Sequence, residues 1–104
     1  MPVTTIGATQ VHVDAEGFLT EYGDWDDDLA RQLAAAIGIE LTDAHWKAIR
    51  FLRADYPATG ETATLRRVST LGGIPIKELF ALFPGKPAKK MAYVAGLPKP
   101  HGCV

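Results

Sequence analysis

The residue best suited to covalent chemistry is the chain's one cysteine, Cys103, next to last of 104 residues. A thiolate is a strong nucleophile, and its reactivity follows its pKa. Lone cysteines are commonly small buried hydrophobes. That role fits poorly here, because Cys103 follows Gly102 and has a single residue beyond it to help bury it. Lys99 and His101 favour its thiolate, whereas the terminal carboxylate at Val104 opposes it. No second thiol is present to close an internal disulfide, so a group loaded on Cys103 must leave to another molecule. The chemistry indicated is transfer of a group held on sulfur. Pro98 and Pro100 stiffen the approach to this thiol. In polyproline geometry, at ~3.1 Å per residue, the stretch from Gly96 would project it roughly 20–25 Å.

Four other sets of residues have possible chemistry. Arg66 and Arg67 follow a segment carrying Arg50 and Arg53, and together they form either a solvated face or an anion site. Lys86, Lys89, Lys90 and Lys99 make the densest positive region, suited to an acidic partner or to stabilising a nearby thiolate. His12, His45 and His101 lie in separate segments without the paired spacing of a metal site, so no metal is expected. The acidic run Asp24 to Asp28 lacks the glycine and distal glutamate of a calcium loop and reads as the start of a helix. No zinc-protease, nucleophile-elbow, dinucleotide or P-loop motif is found, and no cofactor is expected.

The elements that must position these residues follow from periodicity. Val3–Ile6 and Thr9–Val13 are β-branched runs around Gly7-Ala8, which predicts a hairpin over 3–13. Asp24 is the expected N-cap of a first helix opening at Trp25, with Leu29, Leu33, Ala36 and Ile37 inward and Gly38 as its stop. Thr42 should cap a second helix, with Trp46, Ile49, Leu52 and Tyr56 inward, ending at Pro57. Shorter helices are expected over Glu61–Leu71, Ile76–Phe83 and Pro87–Ala95. The expected fold is α+β but mainly α: one domain over 1–104, with a helical bundle over about 25–95 and an extended, mobile C-terminal arm over 96–104. Gly96 is the expected hinge, and the arm should dock transiently near Arg66.

With 47% hydrophobic and 22% charged residues, the chain is not disordered throughout. Eleven Lys and Arg against twelve Asp and Glu leave a formal charge of −1, so direct nucleic-acid binding is not expected. No apolar stretch is long enough to span a bilayer and Met1 to Gln10 lack the basic-then-apolar pattern of a signal peptide, which makes a cytoplasmic protein without membrane contact the expectation.

The blocks Phe83-Pro84-Gly85-Lys86-Pro87-Ala88-Lys89 and Ala95-Gly96-Leu97-Pro98-Lys99-Pro100-His101-Gly102-Cys103-Val104 closely resemble the DsrC/TusE family of sulfur-relay proteins. Asp14 to Leu19, Trp25, His45-Trp46, Ile49 and Arg50 to Arg53 also look like family positions. The resemblance implies a helical bundle with a β-hairpin and a mobile arm whose final cysteine, here Cys103, carries a persulfide. Members serving sulfite reductase carry a second cysteine at the position of Ala92 and form a trisulfide with it. Its absence makes this chain similar to the single-cysteine TusE branch, which passes sulfur toward 2-thiouridine in tRNA. The family's Pro-x-x-Arg reads Ala63-Thr64-Leu65-Arg66 here, residues 71–76 look short, and Gly85-Lys86 inverts the usual order.

The resulting expectation is a sulfur carrier in which Cys103 takes sulfur from a persulfide-donor sulfurtransferase. An acceptor enzyme then receives it, a tRNA thiolase or a sulfite-reductase-type protein, with Arg66, Lys99 and His101 assisting. Such a relay component has a covalent cysteine step but no turnover of its own. Two rivals stand beside it: a carrier or sensor in dissimilatory sulfur metabolism, and a regulatory helix-turn-helix-like module binding DNA or protein through Arg50, Arg53, Arg66 and Arg67.

Overall fold

The computed structural model describes residues 3–6 and 9–100, with side chains at residues 5 and 10–100. Strands β1 (Val3–Ile6) and β2 (Thr9–His12) form an antiparallel pair in which Ile6 faces Thr9 and Val3 faces His12. That register leaves two residues for the turn, and the expected Gly7-Ala8 turn lies outside the described residues. Along β2 and its exit Val11 and Val13 are buried while Gln10 and His12 are exposed, the alternation of a sheet with one wet face. Asp14 then closes the chain on itself. Its Oδ1 accepts from the amides of Glu16 (2.9 Å) and Phe18 (3.0 Å), and Val13 bridges Leu19.

A 3₁₀ turn at Tyr22–Asp24 precedes α1, which spans Asp27–Ala36. The expected cap at Asp24 is not used. Its carboxylate instead accepts from the His12 amide at 3.0 Å and lies 2.9 Å from the His12 ring. Asp26 caps the helix, accepting from the Leu29 amide at 2.8 Å. Trp25 stays extended rather than opening the helix.

Helix α2 spans Asp43–Thr59 and runs through Pro57, where sequence reasoning ends it. The physical reason lies outside the helix. Proline has no amide for the carbonyl four residues back, and that carbonyl, on Arg53, accepts the Tyr22 hydroxyl at 2.7 Å instead. At the other end His45 Nδ1 accepts from the Thr42 amide at 3.0 Å, so Nε2 carries the proton and donates to the Leu82 carbonyl at 2.8 Å. One buried histidine thereby caps α2 and ties it to the end of the fourth helix, with its ring edge-on to Phe83.

Helices α3 (Leu65–Gly72), α4 (Ile76–Leu82) and α5 (Pro87–Val94) complete the bundle. Helix α3 starts four residues later than expected, because Thr64 is its cap and Thr62 and Ala63 are buried in the link before it. Helix α5 packs on α1 and α2. The main core joins Ile49 and Leu52 of α2 with Val68, Leu79, Phe83, Met91, Val94 and Leu97. A second cluster under the hairpin holds Val11, Leu19, Leu29 and Leu33, and Trp25 and Tyr93 pack against both. The mainly helical bundle with an N-terminal hairpin is the architecture the sequence predicts. Among the described residues no helix is long and apolar enough to cross a membrane.

Candidate functional site at the root of the arm

The arm leaves the bundle at the end of α5, where every terminal carbonyl is accounted for. A helix end leaves four carbonyls without helical partners. Here Met91 accepts from Ala95 (2.9 Å), Ala92 from Leu97 (3.0 Å) and Tyr93 from Gly96 (3.2 Å). The last two bonds are those of a Schellman motif, with Gly96 in the left-handed conformation at φ +70°. The Val94 carbonyl accepts from the Trp25 indole at 2.8 Å, and the Ala95 carbonyl from Arg53 Nη1 at 2.9 Å.

Arg53 is thus a fork between two ends of the chain, since its Nη2 donates to the Tyr22 carbonyl at 2.8 Å. Its guanidinium lies 3.8 Å from the Tyr22 ring centroid and 4.2 Å from that of Trp25. Burial pushes its pKa down from the ordinary value, and the neighbouring Arg50 charge acts the same way. A cation held at a helix C-terminus also complements the helix dipole.

Beyond Gly96 the described arm lies against the bundle. Leu97 is fully buried, the Pro98 carbonyl accepts the Thr62 hydroxyl at 2.7 Å, and Pro100 is buried. Gly96 is therefore a cap locked beneath Trp25: a Cβ there would sit 2.4 Å from the indole Cδ1. The expected swing point at Gly96 is held by packing. The contact with Thr62 places the arm beside the link from α2 to α3, whose first helical turn holds Arg66.

The expected site residues divide accordingly. Lys99 is partly exposed and its Nζ meets Glu16 Oε1 at 3.3 Å. Arg66 is exposed on α3 and, among the described residues, makes no hydrogen bond or ion pair. Cys103 and His101 lie outside the described residues. Ala92, where a second cysteine would stand, is fully buried on α5. Sequence reasoning missed Trp25, Arg53 and Thr62 as the residues that hold the arm. Trp25 and Arg53 stood out only as positions resembling the family.

The arginine face of the rival DNA-binding reading is largely consumed within the molecule. Arg50 makes a two-pronged pair with Asp27, both bonds at 2.8 Å, and Arg67 pairs with Asp55 at 2.9 and 2.7 Å. These guanidiniums hold the Asp27 and Asp55 carboxyls below their usual range. With Arg53 bound to carbonyls, Arg66 alone of the four has no partner among the described residues. The lysines do come together. Lys86, Lys89 and Lys90 line a groove of about 390 Å³ with Phe18, Ile37 and Tyr93, and Glu16, the partner of Lys99, lies on its rim. Among the described residues no group of three or more histidine, cysteine or acidic side chains could hold a metal.

Comparison with known proteins adds a lineage to this geometry. Residues 5–104 match the family described as "DsrC like protein". The chain is 38% identical to the sulfurtransferase TusE of Sodalis glossinidius, over 92% of this chain and 95% of that protein. It is 35% identical to the gamma subunit of the dissimilatory-type sulfite reductase of Nitratidesulfovibrio vulgaris, over the whole of both. Among solved structures, the NMR structure of Allochromatium vinosum DsrC matches with a TM-score of 0.79 and 37% identity, covering 98% of this chain and 97% of that one.

Proposed function

The chain belongs to the DsrC-like family and is a sulfur-relay carrier, and from that premise we propose that Cys103 is its sulfur-bearing atom and that tRNA 2-thiouridine formation is its destination. The observation that carries the reading is the anchored arm: Gly96 to Pro100 are fixed to the bundle, and the thiol follows only three residues later. Three residues span at most ~10 Å. With Pro100 seated, Cys103 works close to the bundle surface, and partners come to it there. The longer reach of the extended arm requires Leu97 and Pro100 to leave their pockets, which costs buried apolar area.

Loading is an exchange with no net oxidation. The Cys103 thiolate attacks the outer sulfur of a donor persulfide, the donor's S–S bond breaks, and the donor sulfur departs as a thiolate. A new S–S bond now joins the sulfane sulfur to Cys103 Sγ, and the outer sulfur keeps its proton or loses it to solvent. Delivery repeats the exchange, with an acceptor thiolate attacking the outer sulfur and Cys103 leaving as thiolate. Lys99 and His101 sit within four residues of the sulfur and supply positive charge that favours the attacking thiolate. Arg66, whose charge no described residue engages, serves the same field from α3. The single cysteine supports the tRNA branch, because the sulfur cannot be trapped in an internal trisulfide.

Incubation with glutathione persulfide should add one sulfur atom to the intact mass, removable by reductant. Cys103→Ser should abolish the gain. A gain that survives in Cys103→Ser, or none in the parent chain, overturns the assignment. Sulfur-labelled carrier should then yield 2-thiouridine with a tRNA thiolase and not with a sulfite reductase.

A further inference from the structure

The lysine groove beside the arm lies outside the covalent chemistry proposed for Cys103. Its apolar lining is Phe18, Ile37 and Tyr93, and Phe18, itself buried, meets Tyr93 edge-to-face at 5.9 Å. Its wall is the start of α5, with Lys86 at the N-cap and Lys89 and Lys90 in the first turn and just beyond. This arrangement opposes stability. The N-terminus of a helix carries partial positive charge and favours acidic residues, yet the first turn of α5 holds none. Local folding accounts for Lys90, whose ammonium donates to the Pro84 carbonyl, but not for Lys86 and Lys89, which recognition of a negative ligand explains.

The groove also adjoins the arm. Glu16 on its rim meets Lys99, and Cys103 lies four residues beyond Lys99, a span of at most ~14 Å. We infer that this groove docks an acidic protein segment bearing an apolar or aromatic side chain, presented by a sulfur-relay partner. The apolar side chain would rest on the partly exposed Tyr93 and Ile37, with the buried Phe18 ring beneath, while carboxylates meet Lys86 and Lys89. Lys90 is partly committed, since its ammonium donates to the Pro84 carbonyl. A nucleic acid fits less well. Phosphate backbones offer no apolar anchor, and a chain of net charge −1 does not favour a continuous polyanion. The partner's role in sulfur transfer rests on the reading of Cys103, but the docking does not.

The test separates the two. The full chain carrying Cys103→Ser, which has no thiol, is titrated with a short blocked peptide of glutamates flanking one phenylalanine. Amide and side-chain NMR shifts should move at Phe18, Ile37 and Tyr93. The same peptide with glutamines should bind about fivefold or more weakly, as should the variant Lys86→Glu with Lys89→Glu, and added salt should weaken binding. Lys86→Gln with Lys89→Gln, checked for an unchanged fold by its NMR spectrum, gives an intermediate loss if the charge reversal perturbs folding. Equal binding of the glutamine peptide, shifts confined to other surfaces, or preference of the groove for a tRNA transcript overturns the proposal. Failure of persulfide loading in the parent chain overturns only the reading of Cys103.

Discussion

Gly96 shows how much one residue decides at the root of the arm. Its positive φ would strain any side chain, and a Cβ would collide with the Trp25 ring. The indole cannot retreat without giving up its bond to the Val94 carbonyl. Gly96→Ala should therefore cost ~3 kcal/mol, the sum of left-handed strain and overpacking. Chemical denaturation would show it as a lower midpoint with an unchanged slope. A midpoint within error of the parent would mean that Trp25 does not hold the arm's root. The same expectation explains why Gly96 is a poor hinge: its freedom is spent on the cap rather than on motion.

At the scale of elements, the arm behaves as a strap fastened at successive points. The Schellman end of α5 fixes its direction, Leu97 fills the core, and Thr62 in the link before α3 fastens Pro98. Thr62→Val keeps the shape but leaves the Pro98 carbonyl without that donor, at a cost of about 1–2 kcal/mol. The effect should be local. Hydrogen exchange should speed up at Gly96 and Leu97, whose amides bond to the end of α5, while amides in the middle of α2 stay as protected as before. Uniform deprotection would show that strap and bundle open as one unit. An unchanged strap would show that burial of Leu97 and Pro100 suffices to hold it.

Over the whole molecule, charge is spent on joining elements. Asp27 ties α1 to Arg50 of α2, Asp55 ties α2 to Arg67 of α3, and Asp24 ties the 3₁₀ turn to His12 of β2. All three carboxyls are held below their ordinary 3.8, Asp27 and Asp55 chiefly by hydrogen bonds from arginine, Asp24 chiefly by the His12 amide. A carboxyl whose pKa is lower folded than unfolded stabilises the fold above the unfolded value. The contribution disappears as pH falls below 3.8 through the folded value. Asp55 is the most telling case, because its side chain is only 10% exposed and thus weakly screened. Asp55→Asn should lower thermal stability at pH 7, and the gap to the parent should close as pH drops below 3.8. A gap independent of pH would trace the loss to packing rather than to the ion pair.

Much of this protein is legible in its sequence because local chemistry fixes it. The β-branched runs around a two-residue turn, the helical spacing of Leu29 and Leu33, Thr42 at the start of α2 and Gly38 past the end of α1 each act through neighbours a few residues away. The C-terminal signature resembles the family in residue types alone, which is why Cys103, Lys99 and His101 stand out as candidates before any fold is known. Contacts between distant segments depend on tertiary structure. Pro57 can sit inside α2 only because Tyr22, 35 residues earlier in the numbering, supplies the missing donor to Arg53. Asp24 is engaged by His12 and leaves its expected capping role to Asp26, and α3 starts late because Thr62 serves the arm. Of four arginines that look like one basic face in the sequence, three are taken by acidic partners and carbonyls from other elements, while Lys86, Lys89 and Lys90 meet Phe18, Ile37 and Tyr93 around one groove. Periodicity reports which side of an element is apolar, but hydrogen-bond and charge partners 12 to 83 residues apart are chosen only when the chain has packed.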